Sequence, residues 1–340
     1  MPMFDLPPER LRRHVTALTA PPDLDAFWAA TLAGNCHSIE ASFRAATSIL
    51  TTIETLDVSF RGYGGDEIRG WLHLPANRPD GELPCVVEYL GYGGGRGYAH
   101  QHVFWAASGF AHFVMDTRGQ GAAWSTGHTP DPNAGENAYP GFLTRGILSR
   151  DEYYYRRLYI DAVRAVDAAR SHPNVDPERV AVTGISQGGG LALAVTALRG
   201  DLAAAIPEVP FLSDMRRATE LVDTEPYNEV SHFLKVHRDR IEEVFQTLAY
   251  FDVALLAQRA TAPALFSVGM MDTICPPSTV FAAYNAYGGA KEIAEYAYNE
   301  HDGGGELHEV LKIAWLRNLI GAPRRNTLVE PVTNGAGDPR

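Results

Sequence analysis

Positive charge, cysteine and long apolar runs are what this chain has little of. Its 340 residues hold 29 Lys and Arg against 41 Asp and Glu, a formal charge of -12. That balance repels phosphate backbones and anionic bilayers, so neither nucleic acid nor a membrane surface is expected as a partner. The three cysteines, Cys36, Cys85 and Cys275, are an odd number at wide spacing. They fit neither a disulfide framework nor a zinc knuckle, and each reads as a small buried hydrophobe. Apolar runs such as LALAVTAL stop far short of the roughly 20 residues needed to cross a bilayer. The opening MPMFDLPPERLRRHV carries acids and prolines where a secretory leader needs a basic start and an apolar stretch, which points to a cytoplasmic protein. No frame of the glycines fits G-x-G-x-x-G, and a Gly-Lys dipeptide is missing, so dinucleotide and P-loop readings fall away.

What the chain does have is 45% hydrophobic residues, enough to bury a large core. Residues 1–48 read as helical. TTIETLDVSF and EIRGWLHLP, joined by RGYGGD, predict a β-hairpin. LPCVVEYL, FAHFVMD, RVAVTG, LAAAIPEVP, PALFSVG and KEIAEYA predict strands, the first few apolar enough to be covered on both faces. Helices are predicted around 100–109, over 153–169 with one apolar stripe, over 211–258, at STVFAAYNAY, and over a last segment with Leu307, Val310, Leu311, Ala314 and Trp315 on one apolar face. Gly321 and Pro323 end that helix. Strands alternating with helices imply an α/β fold with a mostly parallel sheet covered on both sides. With no repeat or linker, 1–322 reads as one domain with an N-terminal helical extension and a helical insertion over 211–258; 323–340 reads as a polar tail.

Chemistry enters at VAVTGISQGGGLALAV. Gly184-Ile185-Ser186-Gln187-Gly188 fits G-x-S-x-G between a predicted strand and a predicted helix, where a sharp turn lifts the serine hydroxyl out of the core. A glycine-rich chain also produces this pattern by accident, so the reading depends on partners that can activate the hydroxyl. In this arrangement an acid and then a histidine follow the serine. Asp272 falls on the loop after PALFSVG, and His301 on the glycine-rich loop before the last helix, both beyond the carboxyl ends of strands where ligands bind in such sheets. His308 competes with His301 but reads as an exposed helix residue. Asp302 competes with Asp272 but is adjacent in sequence to His301, which hinders its reach to that ring. Cys275 lacks a strand-turn-helix setting. His308-Glu309 begins H-E-x-x-H, but Lys312 breaks the motif, and His100-x-His102 has no partner cluster, so no metal is expected.

GYGGGRG follows the strand LPCVVEYL. The loop after that strand in such hydrolases supplies one oxyanion donor, and the residue after the nucleophile supplies the other. Tyr92 N–H and Gln187 N–H are therefore the candidate pair; the alternative is a plain surface turn.

The stretches DTRGQGAAWSTGHTPDP, GFLTRGILSRDEYYYRRLYIDAVRAV, GISQGGG, GMMDTICPPST and NEHDGGG together resemble the acetyl xylan esterase and cephalosporin C deacetylase family, carbohydrate esterase family seven. The likeness runs from the N-terminal helices to about Ile320. It implies an α/β-hydrolase fold and removal of acetyl groups from xylo-oligosaccharides, related small acetylated sugars and cephalosporin C, without a cofactor. Residue by residue, it implies Ser186 as nucleophile, Asp272 as orienting acid and His301 as base, with the Tyr92 and Gln187 amides as oxyanion hole. It also implies that Arg118, Gly119 and Gln120 support the site and that Pro226 lines the acyl pocket with the Tyr92 ring. Glutamate usually follows the histidine in this family, whereas Asp302 does here. Finally, it implies a cytoplasmic homo-hexamer with sites facing an inner cavity. The alternatives are a carboxylesterase or peptidase on the same scaffold, or a non-catalytic carbohydrate-binding protein.

Overall fold

The computed structural model describes residues 3–321; the 323–340 tail lies outside the described residues. The strands are β1 (Ser42–Ala45), β2 (Ile53–Arg61), β3 (Glu67–Pro75), β4 (Leu83–Tyr89), β5 (Ala111–Met115), β6 (Val175–Ile185), β7 (Ala204–Glu208), β8 (Ala264–Gly269) and β9 (Lys291–Tyr296). The helices are α1 (Pro8–Leu11), α2 (Leu24–Ala33), α3 (Phe104–Ala107), α4 (Tyr154–Arg170), α5 (Gln187–Leu198), α6 (Met215–Leu221), α7 (Asn228–Val236), α8 (Ile241–Leu248), α9 (Val253–Leu256), α10 (Pro277–Ala286) and α11 (Gly305–Ile320).

One sheet orders the strands β1-β2-β3-β5-β4-β6-β7-β8-β9. From β5 to β9 every pairing is parallel, while β1, β2 and β3 extend it antiparallel. Side chains alternate across a strand, so β4 serves both faces. Cys85, Val87 and Tyr89 join the core under α4 and α5. Val86 packs on the opposite face with Trp105 of α3 and Leu316 of α11. The parallel sheet, its two covered faces and the β2–β3 hairpin are as the sequence predicts.

Several local expectations are corrected. Residues 42–45 form an edge strand instead of a helix, because Ser42 to Ala45 pair with β2 and Phe43 sets its ring 4.7 Å from that of His172; a tertiary partner overrides weak local preference. The helix near 100–109 shrinks to α3, since His102 at φ 53 cannot continue a right-handed helix. Residues 211–258 break into the four helices α6 to α9. α4 is buried nearly all round, Arg157, Asp161 and Arg164 included, because both its polar sides find partners. Arg164 donates to the carbonyls of Asn35, His37 and Ser38, and Arg118 pairs with Asp161.

α11 departs furthest. Leu307, Val310 and Leu311 are exposed, while His308, Lys312 and Leu316 are buried. Lys312 donates to both oxygens of Glu208 at 2.9 and 3.0 Å, and satisfying that buried carboxylate turns the helix's apolar stripe outward. The helix does end at Gly321, at φ 67. Cys36 is exposed instead of buried.

Candidate active site

β6 runs into α5 through Ser186, which takes φ 59 and ψ -119. A non-glycine residue in that region is costly and is held only where its surroundings over-determine it. Here Ser186 N–H donates to Glu208 O at 2.9 Å, and Ser186 O accepts from Gly190 and Phe211 N–H. The flanking glycines are required by contact. A Cβ on Gly188 would lie 2.1 Å from Tyr89 O, and one on Gly184 would lie 2.5 Å from the same oxygen. The bend is so tight that β4 passes against it.

Ser186 and His301 line one cavity of about 450 Å³, together with Tyr92, Trp124, Pro226 and Ile274. His301 Nδ1 lies 2.8 Å from Asp272 Oδ2. A carboxylate only accepts, so Nδ1 carries a proton, and in the neutral ring Nε2 is then the acceptor. Asp272 is fully buried and its Oδ1 accepts the N–H groups of Ile274 and Cys275 at 2.7 and 2.9 Å. Those bonds keep the second oxygen turned to the imidazole.

The rival residues sit elsewhere. Asp302 bends back on its own loop, accepting from Asn299 Nδ2 and Glu300 N–H. Cys275 is buried beside Ser186, and burial pushes its thiol well above its ordinary value, away from a reactive thiolate. His308 corrects the expectation of an exposed residue: it is 1% exposed, its Nδ1 is 3.1 Å from Tyr296 Oη, and burial with the nearby Lys312 charge pushes it down to about 3. It is thus a neutral core histidine away from the cavity. His308→Ala is expected to lower stability by about 1 to 3 kcal/mol through the lost buried bond, with kcat changed less than about threefold. Denaturant unfolding beside initial rates checks this, and a silent but fully folded variant would contradict it.

Gln120 ties together the two segments that carry the candidate oxyanion donors. Its Oε1 accepts Gly93 N–H at 2.7 Å, and its Nε2 donates to Gln187 Oε1 at 2.9 Å. Gln187 Nε2 reaches Leu90 O at 3.1 Å. Arg118 stands further back: its guanidinium grips Asp161 through Nε and Nη2 and Asp66 through Nη1. Gly119, at φ 69, lets the chain turn between them. Tyr92 Oη donates to Glu229 Oε1 at 2.5 Å and accepts from Phe142 N–H at 2.8 Å, so α7 anchors the ring that borders the cavity.

Sequence reasoning missed Glu88, His102, Trp124, Tyr139, Glu225 and Ile274 in the cavity wall. Glu88 carried a signal, as the one charge inside the apolar strand LPCVVEYL, and the pattern His100-x-His102 pointed to His102 only as a metal ligand. The others reach the cavity from loops whose course is not periodic. Among the described residues, no group of three or more His, Cys, Asp or Glu side chains is arranged to hold a metal ion, and no helix is long and apolar enough to cross a membrane.

Comparison with known proteins gives a consistent picture. A family model described as acetyl xylan esterase (AXE1) matches residues 1–319. The acetyl xylan esterase from Paenibacillus sp. R4 is 36% identical, with a TM-score of 0.85 over 92% of this chain and 100% of that one. Acetyl xylan esterase 1 from Thermoanaerobacterium sp. JW/SL YS485 is 31% identical, with a TM-score of 0.83 over 93% of this chain and 99% of that one. The acetyl esterase Axe7A of Xylanibacter ruminicola is 29% identical over 88% of this chain and 67% of its own length. An acylaminoacyl peptidase from Pyrococcus horikoshii, 16% identical with a TM-score of 0.59 over 82% of this chain and 43% of that one, shares the fold alone. The α/β-hydrolase fold expected from the sequence is the fold found.

Proposed function

The chain belongs to the acetyl xylan esterase family and is a carboxylic ester hydrolase, and from that premise we propose that it removes acetyl groups from acetylated xylo-oligosaccharides through Ser186, His301 and Asp272. The observation that carries the residue assignment is the 2.8 Å contact between His301 and a fully buried Asp272, in the same cavity as a serine held at a strand-to-helix bend.

In this mechanism His301 Nε2 takes the proton of Ser186 as Oγ attacks the acetyl carbonyl. The tetrahedral oxygen is held by the N–H groups of Tyr92 and Gln187, and losing one such donor costs about 3 to 4 kcal/mol of transition-state stabilisation. When the ester C–O bond breaks, His301 returns the proton to the departing sugar oxygen. Water then gives a proton to His301 and attacks the acetyl-enzyme; acetate leaves and Ser186 recovers its proton. Asp272 holds the tautomer and stabilises the imidazolium.

Pro226 and the Tyr92 ring would bound the acyl side, where each added methylene must displace packed atoms. Acetyl esters are accordingly expected to exceed butyryl esters of the same alcohol about tenfold in kcat/KM. Comparing acetate and butyrate release from the two esters measures it. Equal or faster butyryl hydrolysis would favour a broader carboxylesterase, and no acetate from acetylated xylobiose would revive a non-catalytic scaffold. Cephalosporin C is a secondary substrate on this reading, since it offers the same acetyl group on a different alcohol. Assembly as a cytoplasmic hexamer belongs to the same proposal and rests on family membership alone; a monomeric mass by light scattering would count against it.

A further inference from the structure

Four acidic or histidine side chains line the cavity: Glu88, His102, Glu225 and His301. His301 serves the reaction, and Glu225 accepts the Tyr139 hydroxyl. Glu88 and His102 have no part in the chemistry described above. A carboxylate on an apolar strand facing a substrate cavity calls for a reason, because burying it is costly unless it is paired.

Its surroundings supply one. Glu88 projects from β4 on the same face as Val86, away from α4 and α5. Its Oε2 accepts from His112 Nε2 at 2.7 Å, and His112, on β5, is fully buried. Behind His112 the ring of His73 lies 5.8 Å away, with its Nδ1 3.0 Å from Thr55 Oγ1. One carboxylate oxygen is thus anchored by a buried polar row across the sheet. The other, Oε1, lies 3.6 Å from His102 Nδ1, beyond a full hydrogen bond. It keeps acceptor capacity, and Glu88 lines the cavity. Burial alone would raise the Glu88 carboxyl, but the His112 hydrogen bond and the two imidazoles beside it, His102 and His112, outweigh that and hold it well below the usual carboxylate range, so it is charged. His102 adds a ring beside it from a backbone held at φ 53.

We infer that Glu88 and His102 form a hydroxyl-binding subsite for the leaving alcohol, in which Glu88 Oε1 accepts a hydroxyl next to the acetylated oxygen. The inference rests on the ester-hydrolase reading and adds to it a preference: acetates of vicinal diols, the pattern sugars present, over acetates of simple alcohols. Both side chains are specificity-determining residues.

The test compares kcat/KM for trans-2-hydroxycyclohexyl acetate and cyclohexyl acetate, which differ by that one hydroxyl. Wild type is expected to prefer the hydroxylated ester about tenfold or more, as one hydrogen bond to a charged acceptor provides. Glu88→Gln is expected to cut this preference to about threefold or less. His102→Asn, whose side chain tolerates the left-handed backbone, is expected to cut it in the same direction and carries the test should Glu88→Gln not fold. A wild type without preference overturns the inference, as does an unchanged ratio in a variant that folds, or a parallel loss on both esters. Hydrolysis of 4-nitrophenyl acetate separates the two levels. If wild type cleaves it but ignores the hydroxyl, only the subsite falls; if wild type cleaves no ester at all, the esterase reading falls with it.

Discussion

Ser186→Ala is expected to reduce acetate release from acetylated xylobiose about 10⁴-fold or more, with the folded state retained. On the proposed mechanism, this removes the nucleophile and ends covalent catalysis, and what survives is the rate that donors and binding sustain unaided. The fold should tolerate the change because the backbone N–H and C=O of residue 186, not its hydroxyl, hold the bend to Glu208, Gly190 and Phe211. His301→Ala is expected to fall by a similar factor, and the double variant little further, since the two groups act as a unit. Single-turnover acetate release alongside circular dichroism measures both quantities. A Ser186→Ala enzyme keeping a tenth of wild-type activity would remove the serine from the mechanism. A drop that came with unfolding would reassign Ser186 to structure.

The largest stability effect is expected at Arg118, whose side chain never reaches the cavity. Arg118 and Asp161 are both fully buried, and the guanidinium also meets Asp66 and lies 3.7 Å from Asp131. Burial pushes the Asp161 carboxyl up against the pull of Arg118, so the pair is held by geometry at a desolvation cost. Arg118→Met strands Asp161 without its cation, and breaking a buried pair from one side costs about 3 to 5 kcal/mol. Activity should fall as well, because Gln120, two residues on, bridges Gly93 and Gln187. Adding Asp161→Asn should recover part of the stability, since a neutral amide needs no counter-charge. Urea unfolding of the wild type, the single variant and the double variant forms the test. An unchanged midpoint for Arg118→Met would show that the network contributes nothing.

Much of the fold and of the candidate site was legible because it rests on local chemistry. Apolar runs long enough for a buried strand, the hairpin glycines at RGYGGD, and a serine flanked by glycines each constrain the backbone without outside help. Chain order then placed Asp272 and His301 on loops beyond strand ends, and the structure puts those two side chains in contact. α11 shows where such reasoning stops. Its apolar face is a sound helical pattern, but Lys312 must neutralise Glu208 from a strand 104 residues away, and that demand sets the rotation of the helix. His308 goes inside for the same reason.

Sequence by itself singled out the candidates: the strand-bend-helix around Ser186, the acid and the histidine after it, and the parallel sheet that carries them. Only the tertiary structure decided which histidine faces solvent and which is entombed, which face of the last helix turns inward, and that Glu88 and His102 share the wall of the same cavity. The physical reason is range. Backbone geometry and periodicity act over a few residues, whereas a buried charge is satisfied only by a partner that folding brings from a distant part of the chain.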